Sequence, residues 1–169
     1  KEPEAGSCSK RELLRRRSLP PEGERQVRIL AMDPGRKNFA WALREEGEVT
    51  RVGWVDPIDT VTEDTAFINS CIELLVDTQP DFVVLERFMV RGGGQSMLAE
   101  TLNQMIGRVA VLTRTYAGVE LIQITSAQWK NWWNKSIKED WHEAYANVES
   151  IHQRDACGMS EYIQNYWID

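Results

Sequence analysis

Two short apolar runs that each end in a single carboxylate constrain this chain more than any other feature. Ile29-Leu30-Ala31-Met32 runs into Asp33-Pro34-Gly35, and Phe82-Val83-Val84-Leu85 runs into Glu86. Runs this short and this continuously apolar read as strands buried on both faces. Open α/β sheets place their sites at the carboxyl ends of such strands, and a half-buried acid there needs a partner or a metal. Asp33 also suits a plain Asp-Pro-Gly turn. Glu86 extends its strand directly and has no such simple reading.

The first strand spans Val27 to Met32. Phe39 to Arg44 and Val49 to Val55, separated by charged residues around Gly47, read as an antiparallel hairpin. The spacing of Ala66, Phe67, Cys71, Leu74 and Leu75 predicts a helix capped by Thr62 and stopped by Pro80. After the second buried strand, Arg91-Gly92-Gly93-Gly94 is a loop. A long helix follows from Ser96 to about Tyr116, carrying Met97, Leu98, Leu102, Met105, Ile106, Val109 and Leu112 and closed by Gly118. Val119 to Ile124 makes a fifth strand. Ser126 to Trp167 reads as helical or irregular, with a final helix over Glu149 to Tyr166. The expected fold is α/β: a five-stranded mixed sheet, its first three strands antiparallel, flanked by helices. With 169 residues one domain is expected, over 27–169. Residues 1–26, polar and without periodicity, read as a flexible basic N-terminal tail.

Charge is divided unevenly. Residues 1–28 hold eight basic residues against five acidic ones, a net of +3, which leaves −9 on the rest of a chain whose formal net charge is −6. A folded part that acidic repels nucleic acid unless bound cations or local basic loops intervene. Arg15-Arg16-Arg17 suits a nucleic-acid contact, a targeting signal or a plain solvated tail; the acids around it argue against a transit peptide. Cys8, Cys71 and Cys157 are odd in number and widely spaced. They argue against a disulfide framework and a zinc site and fit a reducing compartment. No apolar run approaches the roughly 20 residues of a membrane helix, so a soluble, cytoplasmic protein is expected, with organelle or nucleus left open. The sequence starts at Lys1 without Met or a secretory segment, which reads as a processed or trimmed product.

His152 and Asp155 lie three residues apart on the last predicted helix, hence about 5–6 Å apart on one face. With Asp33 and Glu86 they can converge on hard divalent cations. Two ions about 3.5–4 Å apart hydrolyse phosphodiesters by activating water and stabilising the leaving oxygen. Taken singly, His152 reads as a satisfied polar side chain and Asp155 as a surface charge. Trp129, Trp132 and Trp133 share helical spacing; they could stack on bases, but their apolar area favours core or dimer packing. Arg87, Arg91 and the glycine run suit either a DNA channel or a mobile loop, and Arg36 with Lys37 would offset the acidic surface beside the site.

Ile29-Leu30-Ala31-Met32-Asp33-Pro34-Gly35, Val83-Val84-Leu85-Glu86-Arg87-Phe88-Met89 and His152-Gln153-Arg154-Asp155-Ala156 resemble the three active-site motifs of RuvC-type Holliday-junction resolvases of the RNase H-like superfamily. Gly35 to Ala40 is similar to viral and mitochondrial relatives, and Ser126 to Lys130 to phage members; the likeness is strongest in character to phage and viral resolvases. The resemblance implies an endonuclease that binds four-way DNA junctions as a homodimer and nicks two opposed strands. It implies Mg2+, with Mn2+ able to substitute and two ions per site. Asp33 and Glu86 would be strand-borne ligands, His152 and Asp155 the helix-borne pair, although many members carry an acid where His152 stands. Phe88 is the nearest match to an aromatic that stacks at the opened junction, and Lys135 and Lys138 both qualify as a basic residue ahead of the last helix. Arg36, Lys37, Arg87 and Arg91 complete the DNA-contact set. For a viral protein the setting would be the host cytoplasm. The alternatives are a related nuclease acting on flaps or RNA–DNA hybrids, and a non-catalytic DNA-binding scaffold. The helix from Ser96 is the expected dimer interface. Its apolar residues exceed what one sheet needs, and Gly107 permits close approach.

Overall fold

A computed structural model describes residues 27–35, 39–55, 63–87, 97–117 and 119–168. The tail over residues 1–26 and the Thr62 cap lie outside the described residues. Five strands form one sheet in the order β3-β2-β1-β4-β5: β1 (Arg28–Asp33), β2 (Phe39–Glu45), β3 (Glu48–Val55), β4 (Phe82–Glu86) and β5 (Glu120–Ile124). β2 is antiparallel to β1 and β3, while β4 runs parallel to β1 and β5. The helices are α1 (Glu63–Thr78), α2 (Met97–Leu112), α3 (Ser126–Ser136), the single turn α4 (Trp141–Ala144) and α5 (Ile151–Ile163). This is the mixed α/β sheet expected from the sequence. The β2–β3 turn is tight because Glu46 and Gly47 both take positive φ, 56° and 80°, the pairing that matches strand twist in a two-residue hairpin.

The alternation of β1 and β4 sorts their side chains onto two apolar layers. Leu30, Met32, Val83 and Leu85 join Phe67, Cys71, Leu74 and Leu75 of α1 and Leu102, Met105, Ile106 and Val109 of α2 in one cluster. Ile29, Ala31 and Val84 point the other way, onto Ala156, Cys157, Met159, Tyr162 and Ile163 of α5 and Trp129 of α3. A period of two therefore aims Asp33 and Glu86 at the α5 layer.

One expectation is corrected here. Leu102, Met105, Ile106 and Val109 of α2 are all buried within the chain against the sheet and α1, whereas the side chains of Met97 and Leu98 lie outside the described residues. Those four residues therefore offer no surplus apolar area; Val111, 63% exposed, is the large apolar residue of α2 that faces outward among those described. Two helix ends also differ. Where a continuous helix to Tyr116 was expected, α2 widens into a π-type turn over Thr113–Ala117, and the buried Thr113 hydroxyl donates to the Val109 carbonyl at 2.8 Å. Such back-bonding competes with the regular ladder. The last helix likewise starts at Ile151, after Ser150, and widens over Gln164–Ile168.

Two contacts seat α5. Arg44 of β2, only 3% exposed, donates from Nε to Ser160 Oγ at 3.1 Å and from Nη2 to Tyr145 Oη at 2.9 Å, and pairs with Glu161. Gly158 lies directly on the buried Trp129 ring: a Cβ there would come within 2.7 Å of a ring carbon. Gly158→Ala should therefore lower stability by about 1–2 kcal/mol, overpacking outweighing the better helix propensity of alanine. Urea denaturation checks this, and an unchanged or raised midpoint would show that α5 does not depend on that close approach.

Candidate active site

The last paired residues of β1 and β4 are Met32 and Leu85, so Asp33 and Glu86 stand side by side one step further along, on the α5 face. Helical spacing puts His152 and Asp155 on one side of α5, the side that meets the sheet through Ala156 and Met159. All four residues singled out from the sequence thus reach one site. Nδ1 of His152 lies 2.7 Å from Oδ2 of Asp33. Asp155 is held at both oxygens: the Trp141 indole N–H donates to Oδ1 at 2.8 Å, and the Lys130 ammonium sits 2.9 Å from Oδ2. The Trp129 indole N–H donates to Oε2 of Glu86 at 3.3 Å. Lys130 Nζ also lies 4.9 Å from the centre of the Trp129 ring and 5.2 Å from that of Trp141.

The titration of these groups follows from crowding like charge in a corner with little water. Burial pushes the Glu86 carboxyl up to about 7; the negative charge of Asp33 pushes the same way, and the Trp129 N–H and Lys130 pull against it. Burial also raises Asp33, opposed by its bond to His152. The Asp33 hydrogen bond raises His152 in turn, against a smaller effect of burial. The cluster is short of positive charge, and Lys130 and His152 supply what it has.

Lys130 and Trp141 are site residues that the sequence reading misses, and for Trp129 it offers packing ahead of base stacking. That reading of Trp129 holds, since it is fully buried, as is nearly all of Trp133. A local signal for Lys130 did exist. Thr125 caps α3 in a reciprocal capping box with Gln128, which starts a helix at the carboxyl end of β5 and puts Lys130 in its second turn, at the site end of the sheet. No such signal marks Trp141.

Among the expected DNA contacts, Arg36, Lys37, Phe88 and Arg91 lie outside the described residues. Arg87 is exposed directly after Glu86, its backbone N–H donating to the Ile124 carbonyl at 2.7 Å. Lys135 and Lys138 are exposed at and beyond the end of α3. As the side chains stand, no three His, Cys, Asp or Glu among the described residues are grouped to hold a metal ion. The donor chemistry nevertheless fits a hard divalent cation: three carboxylates on one face, one pushed up to about 7 by burial and, less, by the charge of Asp33.

No protein-family model and no curated protein matches this sequence. Solved structures do. The Thermus thermophilus RuvC structure in complex with a Holliday junction substrate superposes with a TM-score of 0.65 at 16% identity, over 83% of this chain and 96% of that one. The yeast mitochondrial Holliday junction resolvase Ydc2 gives 0.58 at 11% identity, over 80% of this chain and 78% of that one. The fowlpox virus resolvase in complex with its Holliday junction DNA gives 0.53 at 13% identity, over 85% of this chain and all of that one, 100%. The chain has the fold of the RuvC-type Holliday junction resolvases.

The raised Glu86 has a consequence for stability. An unfolded glutamate ionises near its ordinary value, whereas Glu86 in the folded protein ionises near about 7. Below the ordinary value the carboxyl is neutral in both states; as pH rises towards 7 the folded state is penalised, and above 7 the penalty is constant. In metal-free buffer, Glu86→Gln should therefore stabilise the protein by about 1–3 kcal/mol at pH 8 and have little effect at pH 4. Thermal melts of both proteins at the two pH values test this, and an equal difference at both would rule out a raised carboxyl.

Proposed function

We propose that the chain is a divalent-metal-dependent endonuclease that binds four-way DNA junctions as a homodimer and nicks two opposed strands. The observation that carries the proposal is the meeting of Asp33, Glu86 and Asp155, from β1, β4 and α5, on one face of a sheet with the RuvC-type fold. In this reading those three and His152 are the metal ligands, for Mg2+ with Mn2+ as a substitute, two ions to a site. Bound there, the ions would polarise the phosphodiester and supply a water nucleophile at neutral pH.

The chain's own residues do the rest. Asp33 and Glu86 are fixed by adjacent strands, so their separation does not depend on a loop. Asp155 is turned by Trp141, and Lys130 and His152 balance the carboxylates while no cation is held. A two-fold dimer would present two such sites to a two-fold junction. The charge conflict is resolved locally in this proposal. Arg36, Lys37, Arg87, Arg91, Lys135 and Lys138 contact phosphates, Phe88 stacks at the junction, and the basic segment 1–26 adds salt-dependent affinity. No helix among the described residues is long and apolar enough to cross a membrane, and the proposed setting is cytoplasmic.

A labelled four-way junction incubated with the protein and Mg2+ should give paired, symmetric nicks. Asp33→Asn, Glu86→Gln and Asp155→Asn should each abolish nicking while gel-shift affinity for the junction persists. His152→Asp should keep activity and His152→Ala should lose most of it. Ordinary nicking by any carboxylate variant would remove that residue from the site. Cleavage of flaps or RNA–DNA hybrids with junctions left intact would replace the reading with a broader nuclease, and binding without any cleavage would replace it with a scaffold.

A further inference from the structure

The two tryptophans of the site do something that packing alone does not require. Their indole N–H groups donate to different carboxylates, Trp129 to Glu86 and Trp141 to Asp155. Their rings meet edge to face, with centroids 5.3 Å apart and planes at 76°. Both rings also face the ammonium of Lys130, whose Nζ is bonded to Asp155. Trp129 is wholly buried and pinned by Gly158, so it is the fixed member; Trp141, on the short α4, is partly exposed and is the adjustable one.

The geometry points to Trp141, backed by Trp129, as a positioning residue of the site: its N–H turns Asp155 and its ring seats Lys130, so that one side chain sets a carboxylate and a cation together. This rests on the nuclease reading for its purpose but not for its existence. A neutral N–H donor suits that task. It orients a carboxylate oxygen without neutralising it, which leaves the charge available to a divalent cation, and outer partners of this kind tune metal sites strongly. The aromatic faces hold the Lys130 ammonium beside Asp155 by cation–π attraction.

Trp141→Phe removes the N–H and keeps an aromatic face. In the metal-free full chain, the indole N–H resonance that this substitution deletes identifies Trp141, and Asp155→Asn should shift that resonance in the otherwise wild-type protein. Trp141→Phe should then weaken Mn2+ binding, followed by the spectrum of the free ion, about 10–100-fold, and lower kcat on the junction by a similar factor with KM unchanged. The urea midpoint should stay within error. An indole resonance unmoved by Asp155→Asn would overturn the contact, and Mn2+ affinity and kcat both unchanged in Trp141→Phe would overturn the positioning role while leaving the nuclease reading intact. If the wild type cleaves no junction but Trp141→Phe still weakens Mn2+ binding, the nuclease reading fails and the positioning role stands.

Discussion

Like charge packed against itself at the carboxyl ends of β1 and β4 is the constraint to which the rest of this structure answers. The alternation of the two strands leaves Asp33 and Glu86 no choice of face. A third carboxylate, Asp155, joins them because α5 is held against β1 and β2 by the Arg44 network and by the bare backbone of Gly158 on the Trp129 ring. Such a grouping is unfavourable unless compensated. The compensation is visible as His152 on Asp33, Lys130 on Asp155 and two indole N–H groups. It is incomplete at Glu86, whose carboxyl is pushed up to about 7.

What the sequence revealed and what it hid divide along a physical line. Asp33 and Glu86 were legible because a buried strand running into an acid is a local pattern, and His152 with Asp155 because a three-residue offset is local to one helix. Lys130 was half legible, through a capping box at the start of α3. Trp141 was not, since its bond to Asp155 depends on how a single helical turn folds back against α5. Four apolar residues of α2 were assigned to surplus surface for a related reason. Counting its apolar residues cannot say that α1 and the sheet together use them, as the burial of Leu102, Met105, Ile106 and Val109 shows. The helix ends were missed because Thr113 and the turn over Gln164–Ile168 alter the backbone ladder without disturbing the apolar spacing.

The same electrostatics bears on the proposed substrate. A part of the chain carrying −9 would have to draw in a polyanion, and the carboxylates of the site would add to the repulsion. A divalent cation at the carboxylates would reverse that locally, which joins metal binding and DNA binding in one physical requirement. Lys130, paired with Asp155 at 2.9 Å, is the lysine countercharge within this cluster.

Linkage between divalent cations and folding stability tests that requirement most directly. At pH 8 and constant ionic strength, Mn2+ at about 100 times its dissociation constant should stabilise the wild-type protein by about 2.7 kcal/mol. The triple variant Asp33→Asn, Glu86→Gln, Asp155→Asn should show no such increment, while being more stable than the wild type in metal-free buffer. A Mn2+-dependent rise in melting temperature that is equal in the two proteins, or absent from both, would contradict the account of these carboxylates as a divalent-cation site.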